Sequence, residues 1–581
     1  RRFDALRLDW QHLTPPAICN NSVTPIIAPL QANLSTSAFQ KAQMRRGNRI
    51  FATHWTCAYL SEISVRPLVS LSTDAMQTIA MAMMGATLAL SGCSSVQTAD
   101  VAVAAPIAPW ASPSVPSDGL PETVRQALAG ASLPHDALAF VVLRADTGVV
   151  LDAQSASRPM QPASTLKVLT SAVALDRLGR AYRGRSFLMS NGEIHDGVLR
   201  GDLVLRGEGD VDLDANALRR MLYAFKARGV TRIAGDVVLD RSWIAPARPD
   251  MGVPPFDETP EFRYNVVPDA ISLGTNLTQL DIVSTNDKVV VNESPRLPTI
   301  EFVSSLTLSD RACKDWEDGW LLPTVTRGGD GGVRVELRGD FPRGCVAATQ
   351  LNVVDRTDYA NAVIRALWAE AGGRLDGKVR EADSVLTNEA GLAILASHQS
   401  RTLSEMIHDV LKRSDNPNTR LLFYALSGAK LAEEGGKKTA SSAASAQQVR
   451  AWLAQQNIGD DGLVLDNGSG LSRAEKITPL QLANALRVAH SKPWAAEFQA
   501  AFPVVGVDGG MRNRLANTSL AGRARLKTGT LRDVSALAGY VPGADGVPLI
   551  FVAMLNHPLA TSKASRPVLD ALLLHASTLG K

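Results

Sequence analysis

The chain has 581 residues, 45% of them hydrophobic and 20% charged, a balance that supports globular cores over most of its length. Lysine and arginine number 60 against 57 aspartates and glutamates, a net charge of +3, which argues against nucleic acid as the main partner because phosphate-binding chains carry a large basic surplus. The five cysteines, Cys19, Cys57, Cys93, Cys313 and Cys345, include no C-x-x-C pair and no His/Cys cluster, so no metal site or cofactor is expected.

Residues 1–75 show little periodicity and many Pro, Asn and Ser interruptions, and are set apart as an N-terminal extension, disordered or not expressed. Residues 76–92 contain the twelve-residue apolar run Ile79–Leu90, the length of a secretory signal and too short for a spanning helix. It ends in "LSGC", and these small residues before Cys93 resemble the lipobox of bacterial lipoproteins. That resemblance implies diacylation of the Cys93 thiol and a membrane anchor; a plain cleaved signal, or a buried helix with a chance cysteine, is the alternative. Residues 93–119, rich in Ala, Pro and Ser, read as an extended tether.

From residue 120 the patterning is that of folded chain. "PETVRQALAG" is a short helix, and "ALAFVVLRADTGVVLDA" is two strands joined at Asp146-Thr147-Gly148. After "PAS", Leu166, Leu169, Val173 and Leu178 recur at helical spacing and predict a helix buried along one face. Residues 188–385 differ: "GVLRGDLVLRGEGD", "GVTRIAGDVVLD", "LTQLDIVST", "KVVVNES" and "GVRVELRGD" alternate like half-exposed strands. Helices at "ANALRRMLYAFKARG" and "YANAVIRALWAEAG" complete a mostly-β or α+β insertion of two units. Export makes a disulfide between Cys313 and Cys345 the expected state, closing a loop of about thirty residues and worth about 3 kcal/mol in loop entropy; two reduced core cysteines are the alternative. After 385, "RTLSEMIHDVLKR", "TRLLFYALSG", "SAQQVRAWLAQQN" and "TPLQLANALRVAHS" are helices, "RARLKTGTLRDVSALAGYV" and "VPLIFVAMLNHP" strands, and "RPVLDALLLHASTL" a last helix.

Three elements can do chemistry. Ser164 and Lys167 form S-x-x-K on the first turn of a helix, where i and i+3 side chains share a face. The lysine can take the serine proton if burial or a nearby cation keeps its amine neutral. The pattern alone is weak, since a chain this size offers about two chance matches; Ser427 to Lys430 is another, on the second half of a predicted helix, and is set aside as a decoy. Ser414-Asp415-Asn416 lies in a loop between helices, where such residues also serve simply as turns. Lys527-Thr528-Gly529 lies on a strand, with Thr530 next; glycine there permits close backbone approach, and the lysine and hydroxyls suit a carboxylate.

S-x-x-K, S-D-N and K-T-G in that order is the motif set of penicillin-recognising serine enzymes. The 250 residues from Ser164 to Ser414 exceed the spacing of class A β-lactamases. With "RPMQPASTLK", "GDLVLRGEGD", "IAGDVVLD", "DNGSGLSR" and "KTGTL", they resemble the D-alanyl-D-alanine carboxypeptidase/endopeptidases of peptidase family S13, the penicillin-binding protein 4 type. The resemblance covers roughly 120–581. It implies a mixed α/β, transpeptidase-like (β-lactamase-like) domain split into 120–187 and 386–581 around the inserted accessory domains. It implies Ser164 as the acylated nucleophile, Lys167 as general base, and Ser414 as proton relay to the leaving amine, helped by Lys527, whose charge lowers the Lys167 pKa. Asn416 would orient the acyl-side amide, backbone N–H groups of Ser164 and Thr530 would form an oxyanion hole, and Lys527, Thr528 and Thr530 would bind the terminal carboxylate. Peptidoglycan peptides are the implied substrate, β-lactams covalent inhibitors, and the bacterial periplasm the location. Two departures stand out: "PNTRLL" lacks an acidic residue usual after the second motif, and "DNGSGLSR" shifts the usual aspartate by one. An S-x-x-K β-lactamase or esterase and an inactive wall-binding lipoprotein are the rival readings.

Overall fold

The computed structural model describes residues 119–329, 331–382, 391–433 and 439–580. The expected extension and signal, Cys93, and the tether up to residue 118 lie outside the described residues.

The two ends of the folded chain build one antiparallel sheet. β1 (Leu138–Arg144) and β2 (Val150–Gln154) form the first hairpin; β3 (Arg525–Leu531), β4 (Val534–Pro542) and β5 (Pro548–Asn556) form a meander more than 370 residues later. β1 pairs with β5, Leu138 opposite Leu555 through Arg144 opposite Leu549, so the strand order is β3-β4-β5-β1-β2 and β3 is an edge strand. β1 and β5 are near-continuous apolar runs because helices cover both faces of the sheet.

The longer helices of this body are α1 (Glu122–Gly130), α2 (Leu166–Leu178), α3 (Leu403–Lys412), α4 (Asn416–Glu433), α5 (Ser442–Gln455), α6 (Pro479–Ser491) and α7 (Ser562–Ala576). Leu138, Phe140 and Val142 of β1 share a core with Val124 and Leu128 of α1 and Val568, Leu569 and Leu572 of α7. On the opposite face α6 packs on β1 and β5, and α2 packs in turn on α6, α4, α3 and α5. The patterning predicts one buried face for α2; in fact every residue from Leu166 to Leu175 is buried. A helix enclosed by four others needs no polar face.

α3 opens on a capping box between Thr402 and Glu405, ends at Lys412, and delivers Ser414. The next helix starts earlier than "TRLLFYALSG" predicts, at Asn416, with Pro417 in its first turn, where a missing N–H costs nothing. Asp415 caps it: its Oδ1 accepts from the Asn418 N–H at 2.9 Å.

In the intervening chain, Arg185–Ser190 and Ala393–Gln399 pair antiparallel. They close a five-stranded sheet with Leu203–Glu208, Val237–Asp240 and Val379–Glu381. Of these two paired strands Arg185–Ser190 begins before the expected limits of 188–385 and Ala393–Gln399 lies beyond them, because each supplies hydrogen-bond partners to the other. Helices Ala215–Lys226 and Arg356–Glu370 pack together, with the Phe225 and Trp368 rings 5.6 Å apart. A smaller set of strands follows: Thr278–Ser284 pairs with Val289–Ser294 and Val346–Leu351, and Val333–Pro342 pairs with Ile300–Ser304 and Trp320–Arg327. Cys313 and Cys345 form a disulfide there, with Cα atoms 5.3 Å apart.

Candidate active site

Ser164 stands in the 3-10 turn Ala163–Thr165 that runs directly into α2. Ala163 has a φ of 45°, a left-handed conformation that alanine rarely adopts, so the surroundings impose the turn rather than its own preference. Two glycines press on it. A Cβ on Gly529 of β3 would lie 2.7 Å from the Pro162 carbonyl oxygen and 3.1 Å from the Ser164 nitrogen. Gly470, at φ 81°, would place its Cβ 1.8 Å from the Ala163 carbonyl oxygen. Backbone therefore meets backbone on both sides of the serine.

One helical turn on, Lys167 is wholly buried. Its Nζ donates to Ser164 Oγ at 2.9 Å, to Asn416 Oδ1 at 2.6 Å and to the Ser469 carbonyl. Burial, and next the charge of Lys527, hold its pKa well below the ordinary lysine value; Arg420 acts in the same sense, while Glu475 and Asp415 oppose it. Lys527 on β3 is 1% exposed. Its Nζ donates to Ser414 Oγ at 3.0 Å and to the Thr528 carbonyl at 2.6 Å, and burial pushes its pKa down to about 7. A lysine amine kept neutral within reach of a hydroxyl is a competent base.

Ser414 has a φ of 60°, a second non-glycine residue in the left-handed region at this site. Asn416 accepts from Lys167 and donates through Nδ2 to the Tyr264 carbonyl at 3.0 Å. Tyr264 belongs to the insertion, as does Arg263, which donates to Asp415 Oδ2 at 2.8 Å. Phe256 and Tyr264 also pack against Ala163, Leu471, Leu531 and Val534 beside the Ser164 turn. Thr528 and Thr530 are half-buried on the edge strand β3. Ser164, Lys167, Asn416, Ser414 and Lys527 thus come together from three widely separated stretches of chain, whereas Cys313 and Cys345 lie within the insertion.

Sequence reasoning missed Ser469, Gly470, Glu475 and Tyr264. The signal for the first two was "DNGSGLSR": its glycine-serine run makes the loop whose carbonyl meets Lys167. Tyr264 acts through its backbone and leaves no side-chain signature. Ser427 is buried, with its Oγ 2.9 Å from Ser445 Oγ, and serves a contact between α4 and α5.

A model of the D-Ala-D-Ala carboxypeptidase 3 (S13) family matches residues 120–576. The chain is 27% identical over 422 residues to a D-alanyl-D-alanine carboxypeptidase of Haemophilus influenzae, covering 72% of this chain and 85% of that one. It is also 27% identical over 452 residues to a D-alanyl-D-alanine carboxypeptidase of an Actinomadura species, covering 73% and 79%. The fold is similar to the crystal structure of penicillin binding protein 4 from Haemophilus influenzae, with a TM-score of 0.66 at 24% identity over 78% of this chain and 99% of that one. The family match takes in both halves of the split sheet, the insertion between them and all three motifs: the chain belongs to the D-Ala-D-Ala carboxypeptidase 3 (S13) family, serine-type D-alanyl-D-alanine carboxypeptidases and endopeptidases of peptidoglycan.

Proposed function

We propose that Ser164 is the nucleophile of this peptidase and Lys167 its general base. One observation carries the reading: the enclosed Lys167 amine touches both Ser164 Oγ and Asn416 Oδ1, while a second enclosed lysine, Lys527, touches Ser414 Oγ. Lys167 takes the Ser164 proton as Oγ bonds to the carbonyl carbon between two D-residues. The oxyanion is held by the backbone N–H groups of Ser164 and Thr530. As the C–N bond breaks, Ser414 passes a proton to the leaving amine, with Lys527 re-supplying it. Lys167 gives up the captured proton, which restores the one Lys527 released, and, neutral again, takes a proton from the water that hydrolyses the Ser164 ester; that proton returns to Ser164 Oγ as the acid leaves. Asn416 orients the acyl-side amide, and Lys527, Thr528 and Thr530 take the terminal carboxylate. Because β3 is an edge strand, the stem peptide adds to the sheet as a further strand.

A β-lactam presents its ring amide to the same serine and leaves a stable penicilloyl ester; the Haemophilus influenzae protein has been crystallised in complex with a β-lactam. Digestion of purified peptidoglycan, read by product mass, tests the assignment. Wild type releases D-alanine and cleaves cross-links, and Ser164→Ala does neither and takes up no penicillin. Activity surviving in Ser164→Ala would remove Ser164 from the mechanism.

The reading includes a periplasmic location, with Cys93 as the diacylated residue that tethers the body to a membrane. Cys93→Ala is expected to lose palmitate labelling and to move to the soluble fraction; labelling that persists would refute the anchor.

A further inference from the structure

Glu475 is fully buried yet carries an ionisable group. Its two carboxylate oxygens are hydrogen-bonded by backbone, with the buried Arg420 and Lys167 cations within electrostatic reach. Oε1 accepts from the N–H groups of Asp466, Asn467 and Gly468, at 3.1, 2.9 and 2.7 Å, and Oε2 accepts from Gly470 at 2.9 Å. One side chain therefore gathers four amides of a single loop. The loop returns toward α2 through two carbonyls: Gly468 accepts from Thr170 Oγ1 at 2.6 Å, and Ser469 accepts from Lys167 Nζ. Its Gly470 abuts the Ala163–Ser164 peptide. The loop thus touches the expected base and the expected nucleophile turn, and Glu475 binds it from behind at four points.

We propose that Glu475 is a positioning residue for catalysis: its carboxylate sets the 466–470 loop so that the Ser469 carbonyl aims the Lys167 amine and Gly470 holds the Ser164 turn. The proposal rests on Lys167 acting as base for Ser164. Burial is the larger influence on Glu475 and pushes its pKa up, with the loop N–H groups opposing it. The groups that set the charge state of Lys167 are Lys527 on β3, Arg420 and Asp415 at α4, and Glu475 itself. An accepting carbonyl and a nearby carboxylate both favour the protonated amine. Loosening the loop therefore lowers the Lys167 pKa while it misplaces the amine.

Glu475→Gln removes the charge and one loop bond together, and two readouts tell them apart: the limb of the pH profile reports the charge, the plateau rate the placement. An amide can keep the three bonds at Oε1, but its Nε2 faces the Gly470 N–H donor to donor, so the end of the loop nearest Ser164 is released. Acylation by a fluorescent penicillin is followed in the full chain across a pH series, and the final stoichiometry of labelling counts the folded sites. The expected result is complete labelling with a plateau rate constant about ten- to a hundredfold lower and an acidic limb displaced to lower pH. Glu475→Asp, one methylene too short to span the loop, is read by the same two quantities should the glutamine variant fold poorly. A plateau within about twofold of wild type with an unmoved acidic limb would overturn the proposal and reduce Glu475 to a fold residue. Mass spectrometry of labelled wild type guards the premise: a label on a residue other than Ser164 defeats the nucleophile assignment, not the role of Glu475 alone.

Discussion

Gly529 shows how closely the site is set by atoms that a residue lacks. Its missing side chain lets β3 lie against the Pro162–Thr165 backbone, which brings Lys527 and Ser164 to one place. Its space is closed by carbonyl and amide atoms rather than by a flexible side chain, so an added methyl group must push strand and turn apart. Gly529→Ala is expected to cost about 1–3 kcal/mol of stability and to slow penicillin acylation about ten- to a hundredfold. Denaturant midpoints and labelling kinetics measure the two separately, and an unslowed variant would show that the contact does not set the geometry. The residue type and the permission it gives were legible in the sequence, because K-T-G on a strand calls for close approach. The identity of the approaching backbone was not, since Pro162 and Gly529 are far apart in sequence and meet only across the completed sheet. Glu475 was less legible still: an acidic residue following "GLSR" reads as one more surface charge until its four amide partners are known.

At the scale of elements, the sequence served best where one pattern had one cause. The helices that follow Ser164 and precede Ser414 were readable from their apolar spacing, and the first from its position after "PAS". The start of α4 was misjudged by three residues because Asn and Pro favour turns, yet Pro417 sits in the first helical turn, where its restrictions are harmless. Strands of the insertion were harder. Trp320–Arg327 was passed over because Leu321, Leu322 and Val325 are exposed, so its apolar and polar residues do not alternate. The chain around Phe256 and Tyr264 has no regular pattern at all. Its importance lies in what it reaches: the Asn416 amide, the Asp415 carboxylate and the apolar wall beside Ala163. The insertion therefore takes part in the site through a segment that periodicity cannot detect.

Over the whole molecule, the split sheet explains why the motifs are so far apart in sequence. β1 and β2 precede the insertion, β3 to β5 follow it, and the five strands form one surface only after some 370 residues of chain have returned. Arg241, buried within the insertion, binds both Asp269 and Glu381 and ties the stretch that leads from the Tyr264 segment to the edge strand Val379–Glu381. The two enclosed lysines of the candidate active site have an effect on the same global scale. Lys527 ionises near 7 in the folded protein, whereas an unfolded lysine keeps its ordinary value of about 10.4. Between those limits the unfolded chain binds a proton that the native state does not, so folding stability rises with pH across the window and carries the full penalty below it; the depressed Lys167 adds to it in the same sense. Lys527→Met is expected to raise folding stability at neutral and lower pH by an amount on the order of a few kcal/mol, read from denaturant midpoints, with a gain that shrinks toward pH 10, while acylation is lost. A gain independent of pH would point to packing instead. The burden these two lysines place on the fold is thus lightest in alkaline storage, and selection for durability alone would give up both of them.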